Sequence, residues 1–312
     1  MEYTGLLQKY PIDRLLTDQE KQLQLHQDRR LDVEPVYQLS VIKMNSTFME
    51  IVDKYHGWKG VLSAACLASM LLLLYPLLAT LYGFFWSAEA VRHAANDAAI
   101  YSSIVIALVG SSLATLAWLL RKESFTYTHY PIRLNRTTRV VHVFRLDGTV
   151  LSVPWDTVHF NLGRCSSAQQ WDVRGNVMDS DGVTVCESFA LSAWSTGEQG
   201  KEVLVRYWEF VRRYMEDGPK EAFDRAEIFL PIADRKESLR DGFNRMFAQF
   251  SGAPFPILVM GALIAAAFAP GRWFAMKTSQ IPRWPQEIED QCRIEPGDPC
   301  VKDAAMNPPD LR

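Results

Sequence analysis

Two cysteines near the C-terminal end, Cys292 and Cys300, have seven residues between them in the stretch CRIEPGDPC. That spacing can close a small disulfide ring in an oxidising compartment, or leave two free thiols. A zinc site would need two further ligands close by, and the tail from Gly271 onward contains no histidine. Among the other cysteines, Cys66 falls in an apolar run, and Cys165 and Cys186 read as small buried hydrophobes rather than reactive thiols. The six histidines, His26, His56, His93, His129, His142 and His159, are scattered. None belongs to an HExxH or other metal spacing, and the chain lacks GxSxG, a phosphate-binding glycine loop and a dinucleotide fingerprint. His142 and His159 alternate with apolar neighbours, as strand residues do, which suits a satisfied or surface ring better than a general base. The expectation is a protein without catalytic residues, cofactor or metal.

Binding is the class that remains. Arg133, Arg136 and Arg139 crowd one short stretch, soon after Arg121 and Lys122 close an apolar run. A basic cluster beside a membrane attracts anionic headgroups at about 1 kcal/mol per charge, although the same residues suit a solvated loop that sets topology. Trp155, Trp171 and Trp194 are core rings or, where exposed, contacts for a protein partner. Arg133, Arg136, Arg139, Trp155 and Trp171 are therefore the candidates for lipid or partner binding. The formal net charge of -3 offers no bulk attraction for nucleic acid.

The elements that must position these residues begin with two long apolar runs. Between Gly60 and Trp86, and again between Ala98 and Leu120, there is no charged residue. At about 1.5 Å per residue, roughly 20 residues cover the ~30 Å hydrocarbon layer, so residues 58–120 are predicted to form a transmembrane hairpin. Basic residues flank its outer ends, while the link carries only Arg92, which predicts that both flanks are cytoplasmic. Tyr55 and Trp58 at one end and Tyr82, Phe84, Phe85 and Trp86 at the other suit interfacial aromatic belts. Residues 1–57 then form a cytoplasmic lead-in, in which Thr17 and Glu20 make a capping-box pattern and EPVYQLSVIKM can supply a strand. A third run, 253–270, is predicted to span, with a re-entrant or buried segment as its alternative. Its Gly261, Ala265 and Ala269 recur every four residues, a smooth face for close helix contact and for a homo-oligomer. Residues 219–252 would be an amphipathic linker helix, and 271–312 a periplasmic tail where a Cys292–Cys300 bridge would persist.

Residues 122–218 change period to short runs rich in Val, Thr, Phe and Tyr, with hairpin signals at Asp147-Gly148 and Asp181-Gly182. The prediction is an α+β membrane protein whose cytoplasmic domain is an antiparallel β-barrel or sandwich capped by a C-terminal helix. The order of these strands, with Val153-Pro154-Trp155-Asp156 leading into Val158-His159-Phe160, resembles bacterial pleckstrin-homology-like modules. Pro131-Ile132-Arg133, Asn135-Arg136, Asp147-Gly148-Thr149, Pro154-Trp155, Asp181-Gly182 and Glu216-Asp217-Gly218-Pro219 resemble an uncharacterised family of proteobacterial membrane proteins. Its members are encoded near type VI secretion spike and Rhs-type effector proteins, so the resemblance implies an immunity or accessory role. On that basis the expected protein is a multi-pass, non-catalytic binding protein of the bacterial inner membrane. Its partners would be the bilayer and a cognate toxin or secretion-system component, with no nucleic acid. The alternative expectation is a membrane-surface scaffold or lipid sensor.

Overall fold

The computed structural model describes residues 10–86, 95–165, 170–308 and 311. The 87–94 link, with Arg92 and His93, lies outside these described residues. The chain divides into two compact units: residues 1–57, 127–236 and 281–312 form one, and residues 58–126 and 237–280 the other.

Among the described residues the first unit holds nine strands in two antiparallel sheets. In one, β2 (Val41–Met44), β3 (Phe48–Ile51), β4 (Ile132–Asn135), β5 (Val140–Phe144) and β6 (Val150–Pro154) lie side by side in chain order. In the other the order is β1 (Arg14–Leu15), β9 (Thr184–Thr196), β8 (Gln170–Met178) and β7 (Val158–Arg164). Of the barrel or sandwich expected, the closed barrel is thereby excluded: the strands form two separate antiparallel sheets. The chain changes sheet at a short 3-10 turn, Trp155–Thr157, which follows Pro154 and so interrupts the strand. Alternate residues Met49, Ile51, Ile132, Leu134, Val141, Val143 and Val153 face one core, shared with Phe160, Val173, Phe189 and Leu191 of the other sheet. Helix α4 (Gly197–Glu216) packs on β8 and β9 and contributes Leu204, Tyr207, Trp208, Val211 and Tyr214 to that core.

Local signals behaved as their chemistry requires. Thr17 and Glu20 form the full capping box of α1 (Asp18–Gln22). Gly148 and Gly182 take positive φ, 85° and 68°, in the turns that precede β6 and β9. The apolar stretch after Glu34 supplies β2, whereas β3 had no separate signal. Residues 281–312, expected as a tail detached from the sheets, are part of the sheet unit. Met44 N donates to Lys302 O at 2.9 Å, and Lys302 N to Met44 O at 2.8 Å, so the tail caps the open edge of β2. Ser46 Oγ and Ser46 N both donate to Asp298 at 2.7 Å.

The second unit is helical: α2 (Val61–Trp86), α3 (Ala95–Glu123), α6 (Leu239–Phe247) and α7 (Phe255–Thr278). The short α5 (Pro219–Arg225) and α8 (Gln286–Gln291) belong to the first unit. Three stretches, His56–Gly83, Ile100–Glu123 and Phe255–Thr278, are long and apolar enough to cross a membrane. Their outer faces are bare: Leu72 and Tyr75 are 76% and 80% exposed. The third stretch runs eight residues beyond its predicted end, through Pro270 to Thr278. Its small-residue face is filled within the unit, since Ala265 and Ala269 are buried and a Cβ on Gly261 would lie 2.5 Å from the Phe250 ring. That face is therefore packed against residues of its own chain.

Candidate functional site

The densest arrangement of ionisable groups in the sheet unit runs across β2 to β6. The antiparallel register sets Lys43 opposite Glu50, Glu50 opposite Arg133, Arg133 opposite His142 and His142 opposite Ser152. Because side chains alternate along a strand, the five stand in one row on the face turned away from the core. The tail covers that row. Arg133 is fully buried; its Nε and Nη2 donate to Glu50 Oε2 at 2.9 and 2.7 Å, and Nη2 reaches Glu289 Oε1 of α8 at 3.1 Å. The guanidinium lies between the Phe48 and Trp284 rings, 4.6 and 4.7 Å from their centroids. Trp284 Nε1 also donates to Glu50 Oε2 at 3.2 Å.

At the far end of the row His142 Nδ1 and Ser152 Oγ are 2.8 Å apart. Burial and the Arg133 charge pull the imidazole down to about 4, so the ring stays neutral at ordinary pH. A ring so weakly basic is a poor acceptor for the serine proton. Glu50, on the far side of Arg133 in the row, is committed to Arg133 and Trp284. Through Trp284 and Glu289 the arrangement clamps the tail onto the sheet.

A second buried network centres on Asp172, which is fully buried. Lys54 Nζ lies 2.6 Å from Asp172 Oδ2, Tyr10 OH donates to the same oxygen at 3.1 Å, and Arg174 Nη2 is 3.3 Å from Oδ1. Burial pushes the carboxyl up, but Lys54 and Arg174 outweigh it and hold the group below the usual carboxylate range. Cys165 Sγ donates to Asp172 at 3.3 Å. Burial and that carboxylate push its thiol up, which keeps it protonated and unreactive.

The residues singled out in the sequence are dispersed and engaged. Arg133 sits in the clamp; Arg136 donates from Nε to Ser46 O at 3.0 Å; Arg139 pairs with Asp156 and with Glu216. They form no exposed basic cluster. Trp155 is fully buried, stacked on Trp208 at 5.6 Å, with Nε1 donating to Glu216 at 2.6 Å. Trp171 is buried beneath Lys201 Nζ, 4.1 Å from the ring centroid. Cys292 and Cys300 are free thiols, and Cys292 is buried against Phe48 where it accepts from Asn135 Nδ2 at 3.4 Å. The expected Cys292–Cys300 ring is therefore not formed. Glu50, Trp284 and Glu289 had no sequence signal, since each acquires its role from a neighbour distant in the chain.

Among the described residues no group of three or more His, Cys, Asp or Glu is placed to hold a metal ion. A shallow cavity of about 340 Å³ opens between Ile42, Leu230, Pro231 and Ala304, and a polar cleft of about 520 Å³ between Arg30, Glu34, Arg213 and Arg225. The charges of the cleft are internally used: Arg213 donates to Leu31 O and Val33 O and pairs with Glu209 and Glu221.

The helical unit has its own polar cluster, at one end of the bundle. Glu123 accepts from Gly60 N at 2.7 Å and from Ser63 N and Oγ at 2.6 Å, so a carboxylate from α3 satisfies amides that α2 leaves open at its start. Lys59 Nζ donates to Glu123 O at 3.0 Å. Arg272, fully buried, makes a two-point contact with Glu237 at 2.6 and 2.8 Å and donates to Lys59 O at 3.0 Å.

A model of a family of unknown function, DUF6708, matches residues 111–296, more than half of the sequence. Neither a curated protein nor a solved structure matches the chain.

Proposed function

This chain belongs to the DUF6708 family, whose function is unknown, and we propose that it is a membrane-anchored, non-catalytic binding protein. The observation that carries the reading is that exposed aromatics recur near two levels of a largely aliphatic helical unit, with Tyr75 exposed between them. Trp58, Trp118 and Trp273 lie toward the polar end, and Tyr82, Tyr101 and Phe255 toward the other, each at least 43% exposed. Trp118 and Tyr101 are 17 residues apart on α3, and Trp273 and Phe255 are 18 apart on α7, which is about 26 and 27 Å of helix. Such spacing fits the two interfaces of a ~30 Å hydrocarbon layer. A bare apolar surface of this extent needs lipid or a partner to cover it.

The finer reading is a multi-pass protein of the bacterial inner membrane that serves as an immunity or accessory protein for a type VI secretion toxin. Its support is the anchored architecture together with the resemblance of the middle third to proteins encoded beside such effectors. A pleckstrin-homology-like origin of the sheet unit is supported by two antiparallel sheets followed by one helix that packs into their shared core. The lipid-sensor alternative is less favoured, because Arg133 is buried in the clamp and Arg139 is paired with Asp156 and Glu216.

The test takes the full-length protein through membrane fractionation and then to whichever candidate effector its gene neighbourhood proves to encode. Retention in the membrane after an alkaline wash, co-purification with that effector in detergent, and restored growth on co-expression are the expected results. A chain that stays in solution without detergent would overturn the anchor, and an anchored chain that neither binds nor rescues would overturn the immunity role.

A further inference from the structure

The chain leaves the sheet unit twice, between Gly57 and Tyr127 and between Lys236 and Ile281, and both times it comes back. From this we infer that residues 237–280 enter and leave the bilayer through one face, so that the C-terminal tail shares a compartment with both sheets. The inference rests on the membrane reading above.

Within the helical unit the second excursion is a hairpin. At its base Glu237, just before α6, pairs with Arg272 near the end of α7. A Cβ on Gly242 of α6 would lie 3.2 Å from Arg272 Cδ, and one on Gly261 would meet the Phe250 ring at 2.5 Å. The ascending limb, α6 and the 3-10 turn Ala248–Phe250, therefore climbs beside α7 from Arg272 to Gly261, eleven residues or about 17 Å of helix. The chain turns over at Ser251 to Pro254 and descends as α7. The base is also where α2 begins and α3 ends, since Arg272 donates to Lys59 O, and Glu123 accepts from Gly60. All four helix ends that lead back to the sheets thus gather at one level.

The tail closes the argument. It is hydrogen-bonded to β2 through Lys302, to Ser46 through Asp298 and to Arg133 through Glu289. One body joined by strand bonds cannot lie on both sides of a bilayer, because the connecting backbone would leave its polar groups unpaired in lipid. A lone third crossing would force that division. A hairpin does not, and α7 is then the returning limb of a two-limbed insertion, with the tail on the side of the sheets instead of the periplasmic side predicted for it.

The full-length chain provides the test in two independent forms. Fusions of a protein that fluoresces only inside the cell and of a phosphatase active only outside it are made at the N-terminus, at the C-terminus and in the 87–94 link. Both termini should report one side and the link the other. Termini on opposite sides would overturn the inference and leave the anchor standing, whereas a link on the same side as both termini would overturn the anchor itself. Separately, in a background with Cys186→Ser and Cys300→Ser, whose remaining cysteines Cys66, Cys165 and Cys292 are buried, Ser180→Cys and Ala305→Cys each add one exposed thiol, to the sheet unit and to the tail. A membrane-impermeant maleimide should label the two under the same conditions; labelling of only one in sealed cells would also overturn the proposal.

Discussion

Arg133 shows how far the meaning of a single side chain depends on what covers it. On β4 it occupies an outward position, where a charged residue ordinarily meets water, and its two neighbours Arg136 and Arg139 made it look like part of a headgroup-binding patch. Trp284 and Glu289, about 150 residues later, close over it and convert a surface charge into a buried ion pair. Removing one partner of such a pair leaves the other charge stranded, at a cost of about 3–5 kcal/mol. Arg133→Met should therefore lower the unfolding transition of the detergent-solubilised protein by that amount, and adding Glu50→Gln should recover part of the loss. His142 gives a second prediction at this scale. Its folded value, about 4, lies below the ordinary 6.5, so the unfolded chain takes up the proton first as pH falls. The contribution is complete above pH 6.5 and is lost progressively between 6.5 and 4. Unfolding measured at pH 7.5 and at pH 5 should show lower stability at pH 5, with a smaller difference in His142→Gln.

At the scale of elements, close approach of backbones decides which glycines matter. Gly60 holds φ at +98°, and a Cβ there would fall 2.1 Å from Arg272 Cα, while one on Gly271 would fall 2.4 Å from Ala64 Cβ. Helices α2 and α7 therefore meet through nearly bare backbone at the polar end of the bundle, as small residues permit in lipid. Gly271→Leu should separate them and lower thermal stability in detergent, whereas Gly110→Ala, where nothing lies within 4 Å, should be neutral or raise it by up to about 1 kcal/mol. The smooth face at Gly261, Ala265 and Ala269 was legible in the sequence as a contact surface. That Phe250 of its own chain packs on it was not, because four-residue spacing describes a surface and leaves its partner open.

Across the whole molecule, what could be read in advance was what is local. Hydropathy over 20 residues marked the apolar helices, alternation of Val, Thr and Phe marked the strands, and Asp-Gly pairs marked their turns, since each reports a preference that the backbone expresses within a few residues. The capping box at Thr17 and Glu20 belongs to the same class. The tertiary structure alone decided that β2 and β3, before the hairpin, join β4 to β6 after it in one sheet. It alone buried Arg133 and left Cys292 and Cys300 as free thiols, and it returned the tail to the strands it covers. Each of these outcomes depends on partners separated by scores of residues, and side-chain type specifies the strength of such a contact without specifying its address.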